Sequence, residues 1–270
     1  MRKFSIKKTI AVIIILISII TLLVCSIHFI KYIMDHKNTE KQTKDINETN
    51  KVKEIDDDEN TEIIDSNDDS NNPYWYFIKM KLIDVDFSKL KKENPDTVGW
   101  IQVLNTNINY PFVQTSDNEY YLNHSFHKKK NDAGWIFLDY RNDINNLNQN
   151  TIIYGHGRWD KTMFGTLKNI LTNGWLKNDK NFAIRMVTEE ESTLWQVFSV
   201  YKIPTTNDYL KINFNNNFKE FSDMLIERSQ YNFNTSVGEN DKILTLSTCY
   251  NDDEKVVLHA KLIKRTKKWL

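Results

Sequence analysis

Residues 242–263 read KILTLSTCYNDDEKVVLHAKLI. Two runs of aliphatic and β-branched residues flank a polar turn at residues 250–253, and this pattern predicts two β-strands. Six more runs of the same kind lie between Pro95 and residue 242, separated by turns rich in Asn, Asp and Gly: VGWIQV, INYPFV, GWIFLD, NTIIYG, FAIRMV and LWQVFSVYKI. About eight strands at short spacing favour a closed or nearly closed β-barrel, although a β-sandwich also fits.

Helical patterns are few. Residues 74–94, YWYFIKMKLIDVDFSKLKKEN, carry apolar residues at roughly helical spacing until Pro95 stops the pattern. We expect this stretch to be a helix that leads into the domain and packs against it. Residues 162–171 and 218–231 are predicted to be the later helices. The predicted fold class is therefore mainly β.

The apolar run TIAVIIILISIITLLVCSIHFI spans residues 9–30 without a formal charge. It is long enough to cross a bilayer core of about 30 Å, whereas a cleaved signal peptide has an apolar core of about 7–15 residues before a small-residue cleavage site. We therefore predict a transmembrane signal anchor. Four basic residues lie in the preceding tail at residues 1–8, so the positive-inside rule predicts a cytoplasmic tail and an extracellular remainder.

Residues 31–72 form a polar segment. From residue 36 onward Asp, Glu, Asn, Lys and Thr dominate it and no aromatic residue occurs, which predicts a flexible tether before an extracellular domain at residues 73–270. In the whole chain Lys+Arg and Asp+Glu both number 36, so the formal net charge is zero. No global field attracts a nucleic acid, and none is expected as a partner.

The chain has two cysteines, and because one lies in the apolar run, Cys249 has no disulfide partner in the exported domain. Cys249 ends a predicted strand, a position that suits either a buried hydrophobe or a reactive nucleophile. His156 also follows a strand, between Gly155 and Gly157, where an ordinary turn residue is the simpler interpretation. Together they predict a catalytic pair, because an imidazole can both help a thiol to ionise and protonate a leaving group.

Three motifs occur in a characteristic order. TLSTC at 245–249, IIYGH at 152–156 and MFGTL at 163–167 resemble the sortases, and class B in particular. The similarity includes NTNINYPFVQ at 105–114 and DNEYYLNHSF at 117–126, and it extends over about residues 87–263. TLSTC alone is moderately specific, but in this order with YGH the resemblance is strong.

The resemblance implies an eight-stranded β-barrel with N-terminal helices and an extra helix before the cysteine strand, which matches residues 218–231. It also implies a cysteine transpeptidase that needs no cofactor or metal. The Cys249 thiolate would attack the Thr carbonyl of a C-terminal sorting motif in a secreted protein and form a thioacyl enzyme, while His156 would protonate the departing amine. A peptidoglycan amine would then take the protein into the wall of a Gram-positive-type bacterium.

One position departs from the family. Sortases carry an Arg on the strand after the cysteine, and the matching residue here is Lys255, on the same strand face as Val257 and His259. Lysine keeps the charge but not the planar fork of donors. Reduced activity, a shifted substrate preference and a silent binding module are therefore open alternatives, as is a thiol hydrolase that uses the same pair. Arg158 is a second candidate for the charge, and His259 is expected to be a core residue.

The resemblance also suggests substrate contacts. Ser247 and Thr248 adjoin the nucleophile, and Asn118 and Leu122 match class B residues near the sorting motif. Each of these four residues fits a turn or core role equally well. The backbone N–H of Tyr250 is a candidate donor to an oxyanion, as amides are in other acyl transfers.

Overall fold

The computed structural model of the protein describes residues 6–64 and 75–268. In those ranges the helices are α1 (Ile6–Thr49), α2 (Phe87–Glu93), α3 (Asn173–Leu176) and α4 (Phe218–Glu227), with short 3₁₀ turns at Trp75–Lys79, Tyr120–Leu122, Gly165–Asn169 and Asp179–Phe182. The strands are β1 (Lys53–Ile55), β2 (Thr61–Ile63), β3 (Leu82–Asp84), β4 (Thr97–Val103), β5 (Asn109–Val113), β6 (Phe137–Leu138), β7 (Asn150–Tyr154), β8 (Ala183–Val187), β9 (Glu191–Pro204), β10 (Ile243–Cys249) and β11 (Glu254–Lys267).

Eight of these strands close into a barrel. The ring runs β4, β5, β6, β7, β10, β11, β9 and β8, and β8 pairs back onto β4. Each run predicted from the sequence forms one strand of the ring, so the predicted barrel is confirmed and a sandwich is excluded. Most pairings are antiparallel, but β7 pairs with β10 in parallel. Parallel strands end at the same edge, which brings their carboxyl ends together.

Large aromatic side chains fill the barrel. Trp100, Trp135 and Trp195 are at most 1% exposed, and each indole N–H donates to a side-chain or backbone oxygen. Burial of one such side chain stabilises the fold by about 1.5–3 kcal/mol, provided that its polar atom is paired. The barrel is therefore a packed core without a central channel.

Helix α4 covers the outside of β9 and β10. Its residues Phe218, Phe221 and Leu225 are buried together with Tyr209 and Phe214 of the preceding loop. The helix confirms the expected extra helix before the cysteine strand, although it ends at Glu227 and not at residue 231. This packing holds in place the loop before α4, which forms one wall of the groove at the candidate active site.

The prediction that residues 74–94 form a single leading helix is wrong. It forms a 3₁₀ turn, then β3, then α2. The adjacent residues Leu82 and Ile83 are both buried, which a strand permits because neighbouring side chains point to opposite faces. Asp86 then starts α2, since its carboxylate accepts the backbone N–H of Ser88. The later stretch 162–171 likewise holds only a 3₁₀ turn.

The polar segment predicted to be a flexible tether is ordered up to residue 64. Helix α1 continues through the apolar run to Thr49 without a break, and β1 and β2 follow. The apolar part of α1 is long enough to cross a membrane and is not buried against the described protein. Residues 1–5 of the predicted tail and residues 65–74, where the domain was expected to start, lie outside the described residues.

The polar half of α1 lies against the barrel. Asp35, Thr39 and Ile46 are at most 8% exposed. The Asp35 carboxylate accepts the backbone N–H of Asp132, and the amide of Asn131 donates to the Thr39 hydroxyl at 3.1 Å. The two helix residues lie one helical turn apart, and their contacts depend on a surface that is distant in sequence, which the composition of the segment does not reveal.

We predict that a soluble fragment starting at Lys31 melts higher than one starting at Lys51. Burial of Ile46 and the two hydrogen bonds together contribute about 3 kcal/mol. In a domain of this size that corresponds to about 6–12 °C in Tm. Thermal denaturation of the two fragments measures the difference, and equal melting temperatures would show that α1 does not dock.

Candidate active site

The parallel pairing of β7 and β10 places the two predicted catalytic residues side by side. The register pairs Thr245 with Ile152 and Ser247 with Tyr154. Cys249 and His156 each follow this last pair by two positions, and both line the same groove. The parallel pairing therefore brings the two predicted catalytic residues to the same edge of the barrel.

Glycines allow the two strand ends to meet closely. A Cβ atom at Gly157 would lie 2.0 Å from the backbone oxygen of Cys249, and one at Gly155 would lie 2.8 Å from the ring of Phe164. The Thr248 hydroxyl donates to the Gly155 carbonyl at 2.7 Å. The glycines that flank His156 are thus required by close packing, and this packing holds the histidine loop against the cysteine strand.

His156 is oriented by a third segment. Its Nε2 lies 2.7 Å from the backbone oxygen of Leu122. A carbonyl only accepts, so Nε2 carries the proton and, in the neutral ring, Nδ1 is the basic nitrogen. Leu122 was predicted as a substrate contact; its carbonyl orients the histidine, and its side chain is 41% exposed at the groove.

Lys255 lies beside the nucleophile. The antiparallel register pairs it directly with Cys249, and its Nζ donates to Sγ at 2.9 Å. The position expected to hold the family's Arg therefore delivers a cation to the sulfur. An ammonium group at this distance stabilises a thiolate, which is the reactive form of cysteine.

A groove of about 290 Å³ ends at these three residues. The predicted contacts Asn118, Leu122, Ser247 and Thr248 all line it. Sequence reasoning missed the rest of the lining: Phe137, Tyr154, Gly155, Thr205, Thr206, Asn207, Tyr209 and Leu210. Tyr154 adjoins the YGH motif and could have been found from it, whereas the loop at 205–210 carries no motif.

Most polar groups of the predicted contacts are already bonded within the protein. The Ser247 hydroxyl pairs with the Tyr209 hydroxyl at 2.9 Å, and the Thr248 hydroxyl is held by Gly155. The Asn118 side-chain oxygen accepts the backbone N–H of Tyr140. These residues shape the groove, and their hydroxyl and amide groups hold its walls together.

Two expectations do not fit the structure. The backbone N–H of Tyr250 donates to the Glu254 carbonyl at 2.8 Å, in the turn between β10 and β11, and so it is not free to serve an oxyanion. Arg158 does not line the groove; its Nη2 and Nε both donate to Oδ2 of Asp160, at 2.6 and 2.9 Å. Burial opposes ionisation of Asp160, but the bonds from Arg158 outweigh it and lower the pKa of this carboxyl to about 2.

A buried polar chain supports the cysteine strand from behind. The Thr245 hydroxyl donates to the Asn150 side-chain oxygen at 2.6 Å, and so it can only accept from Nδ1 of His259. The other ring nitrogen, Nε2, then accepts the Tyr201 hydroxyl at 2.8 Å. Burial lowers the pKa of His259 to about 3, which keeps the ring neutral. The expected core histidine is confirmed, and it ties β9, β10 and β11 together.

A second buried group supports the groove wall. The Asp139 carboxylate receives two bonds from Arg141 and one from the Tyr154 hydroxyl at 2.8 Å. Burial would raise the pKa of Asp139, but the hydrogen bonds from Arg141 and Tyr154 outweigh it and hold the pKa below its usual range. Asp139 therefore remains a charged anchor for Tyr154, directly before the histidine loop.

The barrel and the Cys–His–Lys site define a cysteine acyltransferase on a closed β-barrel. Comparison with known proteins agrees: the sortase domain model matches residues 101–263. Sortase B of Staphylococcus aureus is 39% identical over 184 residues, which cover 66% of this chain and 75% of that protein. Sortase B of Listeria monocytogenes is 36% identical over 183 residues, 65% of this chain and 73% of that protein.

Solved structures extend the likeness to the N-terminal region. The crystal structure of Staphylococcus aureus sortase B superposes with a TM-score of 0.62 at 38% identity, and covers 66% of this chain and 86% of that one. A sortase B structure from Bacillus anthracis gives a TM-score of 0.68 at 32% identity, and covers 86% of this chain and 99% of that one. The chain belongs to the sortase family, and within it to the class B cysteine transpeptidases.

We predict that Gly157→Ala disrupts the site. The added methyl group would press on the Cys249 carbonyl, which should lower the free energy of unfolding by about 1–3 kcal/mol. A shift of about 1 Å in the histidine loop should slow thioacyl formation by about 10²-fold. Gly174→Ala is the matched control, because nothing lies within 4 Å of a Cβ at that position. Denaturation and mass spectrometry of the acyl adduct measure both effects, and equal behaviour of the two variants would contradict the close-packing argument.

Proposed function

We propose that this sortase cleaves secreted proteins at a Thr carbonyl in a C-terminal sorting motif and transfers them to a peptidoglycan amine. The observation that carries the proposal is the meeting of Cys249, His156 and Lys255 at the end of a single groove. A nucleophile, a proton-transfer group and a fixed cation are the parts that acyl transfer through a thioester requires.

Each residue has a distinct role in the proposed first step. The Cys249 thiolate attacks the Thr carbonyl carbon, and the carbonyl oxygen becomes an oxyanion. Lys255 stabilises the thiolate before attack and the oxyanion afterwards, whereas the backbone N–H of Tyr250 is already bonded to Glu254. The protonated Nδ1 of His156 donates to the departing amine, while Leu122 holds Nε2.

The groove is the proposed site for the sorting motif. Leu122, Tyr154, Tyr209 and Leu210 give it apolar walls, and Ser247 and Thr248 form part of its lining behind the nucleophile. Asn118 lies at the same groove, and its side-chain oxygen is held by the backbone of Tyr140. An extended peptide that enters along these walls places its scissile carbonyl at Cys249.

The proposed location is the outer face of the cell membrane. The apolar part of α1 provides one span, and the basic residues before it favour a cytoplasmic N-terminus. Because the same helix continues onto the barrel, the catalytic domain is held close to the membrane surface. Secreted proteins emerging from the membrane and lipid-linked wall precursors are both within reach of such a domain.

We predict that thioacyl formation requires Lys255, and that lysine at this position supports activity without the family's Arg. Lys255→Met should lower the rate of thioacyl formation by about 10²–10³-fold, the usual cost of losing one oxyanion donor. Lys255→Arg should retain activity within about tenfold, because the charge remains while the donor geometry changes. Lys202→Met is the control, since Lys202 is paired with Glu254. An inactive wild type with an active Lys255→Arg variant would instead identify a silent binding module.

The full reaction is tested by mass spectrometry of the protein with a library of sorting-type peptides, with and without amine acceptors. We expect an acyl adduct that is absent in Cys249→Ala and that an amine resolves to a new amide. Resolution by water alone, with amines ignored, would identify a thiol hydrolase. Absence of any adduct would contradict the proposed reaction.

A further inference from the structure

The end of the apolar run in α1 marks where this helix leaves the hydrocarbon core of a membrane. The run ends at Ile30, and an α-helix rises about 1.5 Å per residue. Headgroups add about 5–8 Å on each side of a hydrocarbon core of about 30 Å. When the run spans a bilayer, residues 31–36 therefore lie at the level of the headgroups or just outside them.

Two loops of the barrel are attached to α1 at this level. Asp132, in the first loop, forms an ion pair with Lys31. In the second loop, the guanidinium group of Arg158 lies 4.6 Å from the centre of the Tyr32 ring. Lys31 and Tyr32 come directly after the apolar run. Both loops therefore lie next to the surface of the bilayer that the run spans.

Trp159 is the exposed residue of the second loop. The side chains of its neighbours Arg158 and Asp160 pair with each other and are at most 9% exposed, and Asp160 also lies 3.2 Å from Nδ1 of His36. Trp159 is instead 85% exposed. Large aromatic side chains are usually buried, but Trp is enriched where proteins meet membrane headgroups, because its ring is apolar and its N–H is polar.

The charges around Trp159 suit an anionic surface. Asp160, the acidic residue of the loop, is paired with Arg158. Lys161 and Lys168 have no carboxylate within ion-pair distance among residues 6–64 and 75–268, and the Nζ of Lys168 lies 4.9 Å from the Trp159 ring centre. Lysine side chains at an interface extend their charged ends into the headgroups, where anionic lipids attract them.

We infer that Trp159 inserts into the headgroup layer of the membrane that α1 spans, and that Lys161 and Lys168 bind the phosphates of anionic lipids beside it. The inference rests on the proposed location and adds a direct contact between the barrel and the bilayer. A phospholipid bilayer is the occupant of this surface because the apolar run of α1 is continuous with it. Trp159 follows His156 in the same loop, so the contact places the active site at the membrane surface.

The test measures the fluorescence of Trp159 in the full chain, inserted into phospholipid nanodiscs. The chain has seven tryptophans, so the Trp159 signal is the wild-type spectrum minus that of Trp159→Phe. Because Trp159 is exposed, this substitution leaves the core intact. We expect lipids brominated near the headgroup end of the acyl chain to quench the signal more than lipids brominated near the chain end. Acrylamide in the water should quench it only weakly.

A matched control places the same ring far from the membrane. Lys89 is exposed and lines a cavity together with Thr49, at the other end of α1 and about 28 Å beyond Ile30 along the helix. In the Trp159→Phe background, the signal gained by Lys89→Trp should be quenched by acrylamide and not by brominated lipids.

Anionic lipid tests the two lysines. In nanodiscs that mix phosphatidylglycerol with phosphatidylcholine, brominated phosphatidylglycerol should quench Trp159 about fivefold more than brominated phosphatidylcholine at the same mole fraction, the effect of one lysine near an anionic surface. Changing Lys161→Gln and Lys168→Gln together should remove this preference, whereas Lys89→Gln should keep it. Equal quenching by the two lipids in the wild type would overturn the role of the lysines.

A Trp159 signal that acrylamide quenches and brominated lipids do not would overturn this inference alone. A chain that does not enter nanodiscs would overturn the proposed location and the inference with it. None of these measurements requires turnover, so their outcome is independent of the proposed transpeptidation.

Discussion

The parallel pairing of β7 with β10 is the constraint on which the site depends. Parallel neighbours end at the same edge of a sheet, and the register pairs Ser247 with Tyr154, two residues before Cys249 and His156. Two residues that are 93 positions apart in the sequence thereby line the same groove. The antiparallel return of β11 then adds Lys255 to the same edge. Catalysis needs such preorganisation, because small displacements of reacting groups cost large factors in rate.

The buried polar groups behind this edge keep the register unique. The buried hydrogen-bonded chain through Tyr201, His259, Thr245 and Asn150 would lose its partners if the strands slipped by one residue. Asn150 also donates to the backbone of Lys211. The same network thus connects the cysteine strand with the loop that forms the far wall of the groove.

Helix α1 combines an apolar part that is long enough to cross a membrane with a polar part that packs on the barrel. Its polar half contacts the segment at 131–132, which follows Leu122, and the ring of Tyr32 lies under Arg158 at 4.6 Å. Arg158 lies two residues after His156, and Asn131 donates its backbone N–H to Asn123, the residue after Leu122, whose carbonyl orients His156. The polar half of α1 therefore packs on the barrel near the segments that precede and follow His156.

The sequence by itself determined the eight strands and the apolar run of α1, and it singled out Cys249, His156 and Lys255, which line one groove, because alternation, turn residues and short motifs are local. It did not determine that residues 74–94 contain a 3₁₀ turn, a strand and a helix, that α1 continues to Thr49, or that residues 205–210 form a wall of the groove. It also predicted that the backbone N–H of Tyr250 serves an oxyanion, whereas this N–H donates to the Glu254 carbonyl within the turn. Those features depend on which distant surfaces and carbonyls each segment meets, and only the closed barrel brings these partners together.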